Sequence, residues 1–260
     1  MGAAKNRHFV LELLYNAMTM AGSLYRKYRS SNFSEIVGQD HITKTLRNSI
    51  DSGTFSHAYL LTGIRGVGKT SIARIFACEV NKIKPADASK YTDIIEIDAA
   101  SNRKIDEIRD LREKVMIAPS ALKYKVYIID EVHMLTREAF NALLKTLEEP
   151  PKHCIFILAT TDYNKLPHTI VSRCIRFALK TIDPKLIAAH LKMIAGEEKI
   201  TIRDDAIEEI ARNSGNSLRD AITTLDQARN LAENITARHV EILLGIAGER
   251  MINQLFAAVE

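Results

Sequence analysis

Cysteine is scarce in this chain, with Cys78, Cys154 and Cys174 the only three among 260 residues. They are widely spaced, odd in number and form no C-x-x-C pair, which argues against a disulfide framework, a cysteine zinc site or a dithiol redox motif. Buried, reduced thiols of a cytoplasmic protein are expected instead. Long apolar runs are also missing, since no segment approaches the roughly 18 uninterrupted apolar residues that a membrane-spanning helix needs. Lys5 and Arg7 precede the apolar stretch Phe9 to Tyr15, which superficially suggests a short signal peptide, but Glu12 interrupts it. A soluble chain with no membrane partner is expected. Charge of one sign is not in excess: the formal net charge is +4, too mild to diagnose nucleic-acid binding, although 36 basic residues suffice for a local positive patch. There is no internal repeat, Gly/Ser linker or low-complexity tract.

What is present supports a substantial core. With 46% hydrophobic residues, the chain is expected to divide into one larger and one smaller domain. The most informative segment is Gly63-Ile64-Arg65-Gly66-Val67-Gly68-Lys69-Thr70, a complete G-x-x-x-x-G-K-T phosphate loop. It follows the apolar run Ala58 to Leu61, read as a buried strand, and opens a predicted helix from Ser71 to Glu79. Gly63, Gly66 and Gly68, with Val67, let backbone N–H groups turn inward around phosphates, Lys69 brings a positive charge to the terminal phosphates, and the Thr70 hydroxyl suits Mg2+. A nucleoside triphosphate is the ligand this predicts, with Ser71 continuing the binding turn.

Short β-rich runs then alternate with amphipathic helices as far as residue 179. They are Ala58 to Leu61, Asp93 to Ile97, Lys125 to Ile129, Cys154 to Leu158 and Cys174 to Phe177, the pattern of a parallel α/β sheet. Phe140, Leu143, Leu144 and Leu147 mark one face of a helix that stops at Pro150-Pro151. Beyond Asp183-Pro184 only helical periodicity remains, in 185–194, 204–212, 218–231 and 237–244, so a domain boundary is expected near residue 180.

Further chemistry is spread along the sequence. Val126 to Ile129 deliver the adjacent carboxylates Asp130 and Glu131 to the end of a strand, one suited to hold Mg2+ and the other to orient and deprotonate water. Thr160 and Thr161 end the next strand, and Thr161 is the preferred contact for a γ-phosphate or attacking water. By itself such a pair reads as a turn initiator. Arg173 precedes the final strand, where it is either a plain surface arginine or a group that reaches a neighbour's γ-phosphate. Ser217-Leu218-Arg219-Asp220 fits a capping-box-like start, which fixes Arg219 in a first helical turn; it is a nucleotide sensor or a solvated helix charge.

Taken together these motifs resemble the AAA+ ATPases, and among them the gamma/tau family of bacterial DNA polymerase III subunits. The resemblance runs from about Tyr25 to Gly245 through Tyr25-Arg26-Lys27-Tyr28-Arg29, Val37-Gly38-Gln39, Asp130-Glu131-Val132-His133-Met134-Leu135, Leu147-Glu148-Glu149-Pro150-Pro151 and Ser172-Arg173-Cys174. It implies an α/β AAA+ domain at 23–180, a helical lid at 181–245, and the start of a collar domain at 246–260. Residues 1–22 are then an extension, read as appended sequence or a misassigned start. The implied activity is ATP- and Mg2+-dependent clamp loading on primed DNA in replication. Lys69 and Glu131 would catalyse in one subunit and Arg173 in its neighbour. Tyr25, Arg29, Val37 and Gln39 would embrace adenine, Thr161 and Arg219 would act as the two sensors, and Thr70 and Asp130 would hold Mg2+. Lys104, Arg109 and Lys145 would touch DNA phosphates without reading bases, although their positions alone also fit ordinary solvated helix charges. The implied partners are the delta and delta-prime subunits and the sliding clamp, in a hetero-oligomer. Polymerase core and helicase would bind through C-terminal regions not in this sequence. The rival readings are another AAA+ DNA-processing machine, such as a branch-migration motor, or a nucleotide-binding scaffold without turnover.

Two departures from that pattern stand out. The four-cysteine zinc module usual between Asn81 and Asp93 is missing, so no zinc is expected. Ser30 stands where relatives often have proline, which would loosen the adenine clasp slightly.

Overall fold

Strands form where the chain is richest in β-branched and aromatic residues, and the most apolar of them lie deepest. In the computed structural model, which describes residues 24–101 and 114–246, β1 (Ala58–Thr62), β2 (Ile94–Asp98), β3 (Lys125–Asp130), β4 (Cys154–Thr160) and β5 (Ile175–Ala178) make one five-stranded sheet in the order β2-β3-β4-β1-β5. Every pairing is parallel. All five residues of β1 and all seven of β4 are buried, whereas β2 and β5, at the two edges, are largely half-exposed or exposed. This is the burial expected when helices cover both faces of a parallel sheet.

Alternation along the strands divides the core between the two faces. Ala58, Leu60, Tyr127, Ile129, Phe156 and Leu158 pack with Phe140, Leu143 and Leu147 of the helix Arg137–Glu148. On the other face Tyr59, Leu61 and Ile157 meet Leu46 of the helix Asp40–Asp51 and Ile72 and Phe76 of the helix Lys69–Val80. The helix Arg137–Glu148 begins where the Thr136 hydroxyl accepts from the Ala139 N–H, and ends before Pro150-Pro151, as its sequence pattern predicts.

The described residues separate into two compact units, one within 30–181 and a helical unit that joins residues 24–29 to residues 182–246. The helical unit contains Pro184–Glu197, Asp204–Arg212, Leu218–Ala228 and Ala237–Leu244, the third ending three residues earlier than the predicted 231. The short helix Leu24–Lys27 belongs here rather than with the α/β unit to which the sequence reading assigned it. The Leu24 N–H donates to Asp226 Oδ2 at 3.0 Å, and Lys27 and Tyr28 both donate to the Glu198 carboxylate. Those tertiary partners lie about 170 and 202 residues away, which is why local pattern did not reveal the placement. Among the described residues no helix is long and apolar enough to cross a membrane. Lys104, Arg109, the extension 1–22 and the collar residues from 247 lie outside the described residues.

Candidate functional site

The parallel sheet brings the carboxyl ends of β1, β3 and β4 to one edge, with β4 between the other two. That strand order assembles groups that are far apart in sequence. The loop leaving β1 carries Gly63, Gly66 and Gly68 at φ +152°, +78° and +103°, conformations that L side chains rarely adopt. Gly63 also has no room for a side chain, since a Cβ there would sit 3.0 Å from the Leu179 carbonyl oxygen. The N–H groups of Gly66, Val67, Gly68, Lys69, Thr70 and Ser71 have no hydrogen-bond partner among the described residues. Three belong to the first turn of the helix Lys69–Val80, whose initial N–H groups lack intrahelical acceptors, and three to the loop. Together with the positive end of the helix they form a cradle for an anion, which fits polyphosphate.

Lys69 is 5% exposed, and its ammonium donates to the carbonyls of Gly63 and Ile64, each at 2.8 Å. Burial pushes its pKa down, and the negative charges of Glu131 and Asp130 act in the opposite direction. The Asp130 carboxylate accepts from the Thr70 hydroxyl through Oδ2, and its Oδ1 accepts the Glu131 N–H at 2.9 Å. Two hard oxygens, one from the helix Lys69–Val80 and one from the end of β3, thus meet, a donor set of the type that suits Mg2+.

Glu131 leaves β3 with φ +47°, a left-handed conformation for a non-glycine residue. Its Oε2 accepts from the Thr161 hydroxyl at 2.8 Å and from the Thr161 N–H at 3.2 Å. Thr160, one residue earlier, is fully buried and faces His133. The sequence reading gave His133 no role, although it lies within the quoted Asp130 to Leu135 motif. Its signal was weak because its partners come from a different strand.

The remaining candidates divide between the units. Gln39 is fully buried and its side-chain amide is committed to Lys180, donating to its carbonyl at 2.8 Å and accepting its N–H at 3.0 Å. This leaves Val37 and backbone groups nearby for any ligand contact. Arg173 precedes the edge strand β5; its guanidinium donates to Glu148 Oε1 at 2.6 Å and to the Thr169 carbonyl at 2.7 Å. Lys145 is exposed on the helix Arg137–Glu148. In the helical unit, Ser217 caps the helix Leu218–Ala228 by accepting the Asp220 N–H, so Arg219 lies in its first turn. The Arg219 guanidinium stands 4.6 Å from the centre of the Tyr25 ring. Arg29 lies in the same unit.

Cys78 and Cys154 are buried and Cys174 is half-buried. Burial pushes their thiols up to about 11, 11 and 12, so all three remain neutral near pH 7.

Comparison with known proteins identifies the family and the fold. Residues 38–183 match the family described as "DNA polymerase III, delta subunit", and residues 186–234 match "DNA polymerase III clamp loader subunit, ATPase lid domain". The tau subunit of DNA polymerase III from Bacillus subtilis is 50% identical over 248 residues, covering 90% of this chain and 43% of the relative. The Escherichia coli tau subunit is 45% identical, covering 85% and 37%. A gamma subunit from Buchnera aphidicola of Acyrthosiphon pisum is 40% identical, covering 87% and 67%. The chain thus spans less than half the length of the two tau relatives. Among solved structures, the RuvB Holliday junction branch migration motor of Thermotoga maritima superposes with a TM-score of 0.66 over 84% of this chain and 72% of its own, at 24% identity. That likeness shows a common AAA+ fold and carries nothing about substrate. The sheet order, the phosphate loop and the extent of these matches lead to one conclusion: the chain belongs to the gamma/tau family of DNA polymerase III clamp-loader subunits.

Proposed function

We propose that this chain is the ATP-hydrolysing part of a replicative clamp loader, which opens a sliding clamp and loads it onto primed DNA. The observation that carries the proposal is the convergence of Lys69, Thr70, Asp130, Glu131 and Thr161 at the carboxyl edge of β1, β3 and β4. The N–H cradle from Gly66 to Ser71 and the Lys69 ammonium bind the phosphates. Thr70 and Asp130 would hold Mg2+, which would supply positive charge against the phosphates. Glu131 accepts a proton from the attacking water, and Thr161 fixes the carboxylate that does so. Arg173 extends toward the nucleotide of an adjacent subunit, where its charge stabilises the transition state. The family resemblance assigns Tyr25, Arg29 and Val37 to the adenine and Arg219 to the γ-phosphate, whereas Gln39, buried and bonded to Lys180, braces the segment that carries Val37.

In this reading the α/β unit from residue 30 to about 180 binds nucleotide, 181–245 form the lid, 246–260 begin a collar, and 1–22 are an extension. Delta and delta-prime subunits, the clamp and primed DNA are the partners in the cytoplasm. Lys104, Arg109 and Lys145 meet DNA phosphates. The alternative is a nucleotide-stabilised scaffold without significant turnover, which the Glu131–Thr161 arrangement disfavours, since a scaffold has no use for a positioned carboxylate.

Three variants test these assignments. Lys69→Ala should abolish ATP binding, while Glu131→Gln should keep binding and lower turnover by about 10²-fold or more. Hydrolysis by a collar-extended protein mixed with partner subunits, clamp and primed DNA should rise strongly and lose that rise in Arg173→Ala. Tight binding with no stimulated turnover would establish the scaffold instead.

A further inference from the structure

Beside the carboxylate assigned as base lies a histidine that the sequence motif contains without explaining. His133 sits in the short 3-10 turn Val132–Met134, and its side chain is only 9% exposed. Its Nδ1 is 2.9 Å from Thr160 Oγ1 and 3.4 Å from Glu131 Oε2. The Asp162 carbonyl, which can only accept, favours one direction for these contacts. The Thr160 hydroxyl donates its one proton to the Asp162 carbonyl at 3.1 Å and accepts the Asp162 N–H at 3.0 Å. One lone pair is left for His133, and it requires a donor. The nearby Glu131 oxygen imposes the same requirement, because an unprotonated Nδ1 would direct its lone pair at a carboxylate.

We propose that His133, with its proton on Nδ1, is the positioning residue for Glu131, and that Thr160 fixes the imidazole that does the positioning. Glu131 Oε2 is then held by two hydrogen bonds, from the Thr161 N–H and the Thr161 hydroxyl, and faces the N–H edge of the imidazole at 3.4 Å, while the Nδ1–H itself is directed at Thr160. Among the described residues Oε1 has no such donor, so it keeps its lone pairs for a proton taken from water. One oxygen anchors the carboxylate and the other does the chemistry. The motif's histidine thereby ties the end of β3, which carries Glu131, to the end of β4, which carries Thr160 and Thr161. This inference rests on the hydrolytic reading of the site.

The test uses the full chain in two measurements. Long-range nitrogen-proton NMR of the wild type should show His133 protonated on Nδ1 and perturbed by Glu131→Gln. At saturating ATP, His133→Leu should lower kcat about tenfold, a modest part of what a general base contributes, while nucleotide affinity stays within about twofold. His133→Asn, whose amide can donate from near the Nδ1 position, should recover most of the rate. An imidazole protonated on Nε2 alone overturns the proposal even if no variant folds. Equal losses in His133→Leu and His133→Asn, an unchanged kcat, or a fall in affinity matching the fall in rate would also overturn it. A wild-type chain, alone or in the assembled complex, that binds ATP without turnover removes the hydrolytic reading and this role together. Turnover combined with the wrong tautomer removes this role alone.

Discussion

Asp93 shows how much structure one side chain can hold. It is 2% exposed at the start of β2, and its carboxylate accepts the N–H groups of Ser120, Ala121 and Leu122 at 2.9, 2.8 and 3.0 Å. Burial pulls its pKa up, but those backbone donors outweigh burial and hold it below the ordinary carboxylate value. A depressed folded-state pKa means that the stabilisation is complete above the unfolded value and is lost as pH falls through the folded one. Asp93→Asn should therefore cost roughly 2 kcal/mol at pH 7. In denaturant titrations the gap between wild type and variant should narrow as pH drops below about 4. A gap independent of pH would mean that the charge is not what matters. At the nucleotide site, residue identity was readable wherever the chemistry is local. Lys69 and Thr70 adjoin the glycines that define the loop, whereas Glu131 and His133 acquire their partners only from the neighbouring strand.

The connection between β1 and the helix Lys69–Val80 separates two demands on glycine. Gly63 is needed for both conformation and space, with φ +152° and a virtual Cβ only 3.0 Å from the backbone oxygen of Leu179. Leu179 cannot withdraw cheaply, because its N–H donates to the Thr62 carbonyl at 2.7 Å and continues the β1–β5 pairing. At Gly68, φ is +103° but a Cβ would meet only Ile36 Cδ1 at 3.9 Å. Gly63→Ala should thus cost about 2–3 kcal/mol of stability, combining backbone strain with the clash. Gly68→Ala should cost roughly 1 kcal/mol and still impair nucleotide binding. Melting without nucleotide, compared with ATP affinity, checks both; equal destabilisation by the two would contradict the steric argument. Elements were legible where periodicity was strong, as in the five strands and the helix Arg137–Glu148. The grouping of Leu24–Lys27 was not, because four residues carry too little pattern to reveal a partner at Asp226.

Across the whole molecule, the proposed motor depends on surfaces that act between subunits. Arg173 is already oriented by Glu148 and the Thr169 carbonyl. Glu148→Gln should weaken that orientation and lower assembly-stimulated hydrolysis by a few-fold, less than Arg173→Ala, because the pair is exposed and its energy is small. Equal effects of the two would make Glu148 more than an orienting group. Lys145 offers a separate test. If it meets a DNA phosphate, Lys145→Ala should reduce the salt slope of DNA binding by the assembled loader by roughly one. An unchanged slope removes Lys145 from the DNA surface.

The sequence by itself determined the phosphate loop, the alternation of strands and helices, the helical character beyond residue 183 and the family resemblance. Each depends on neighbouring residues or on short periods of two and about 3.6. Only the tertiary structure decided that β4 separates β1 from β3, that Thr70 meets Asp130 across 60 residues, and that Thr161 and His133 meet Glu131 while Thr160 holds His133. Strand order and hydrogen-bond direction are set by long-range pairing and by each polar group's need for a partner away from water. Neither leaves a periodic trace along the chain.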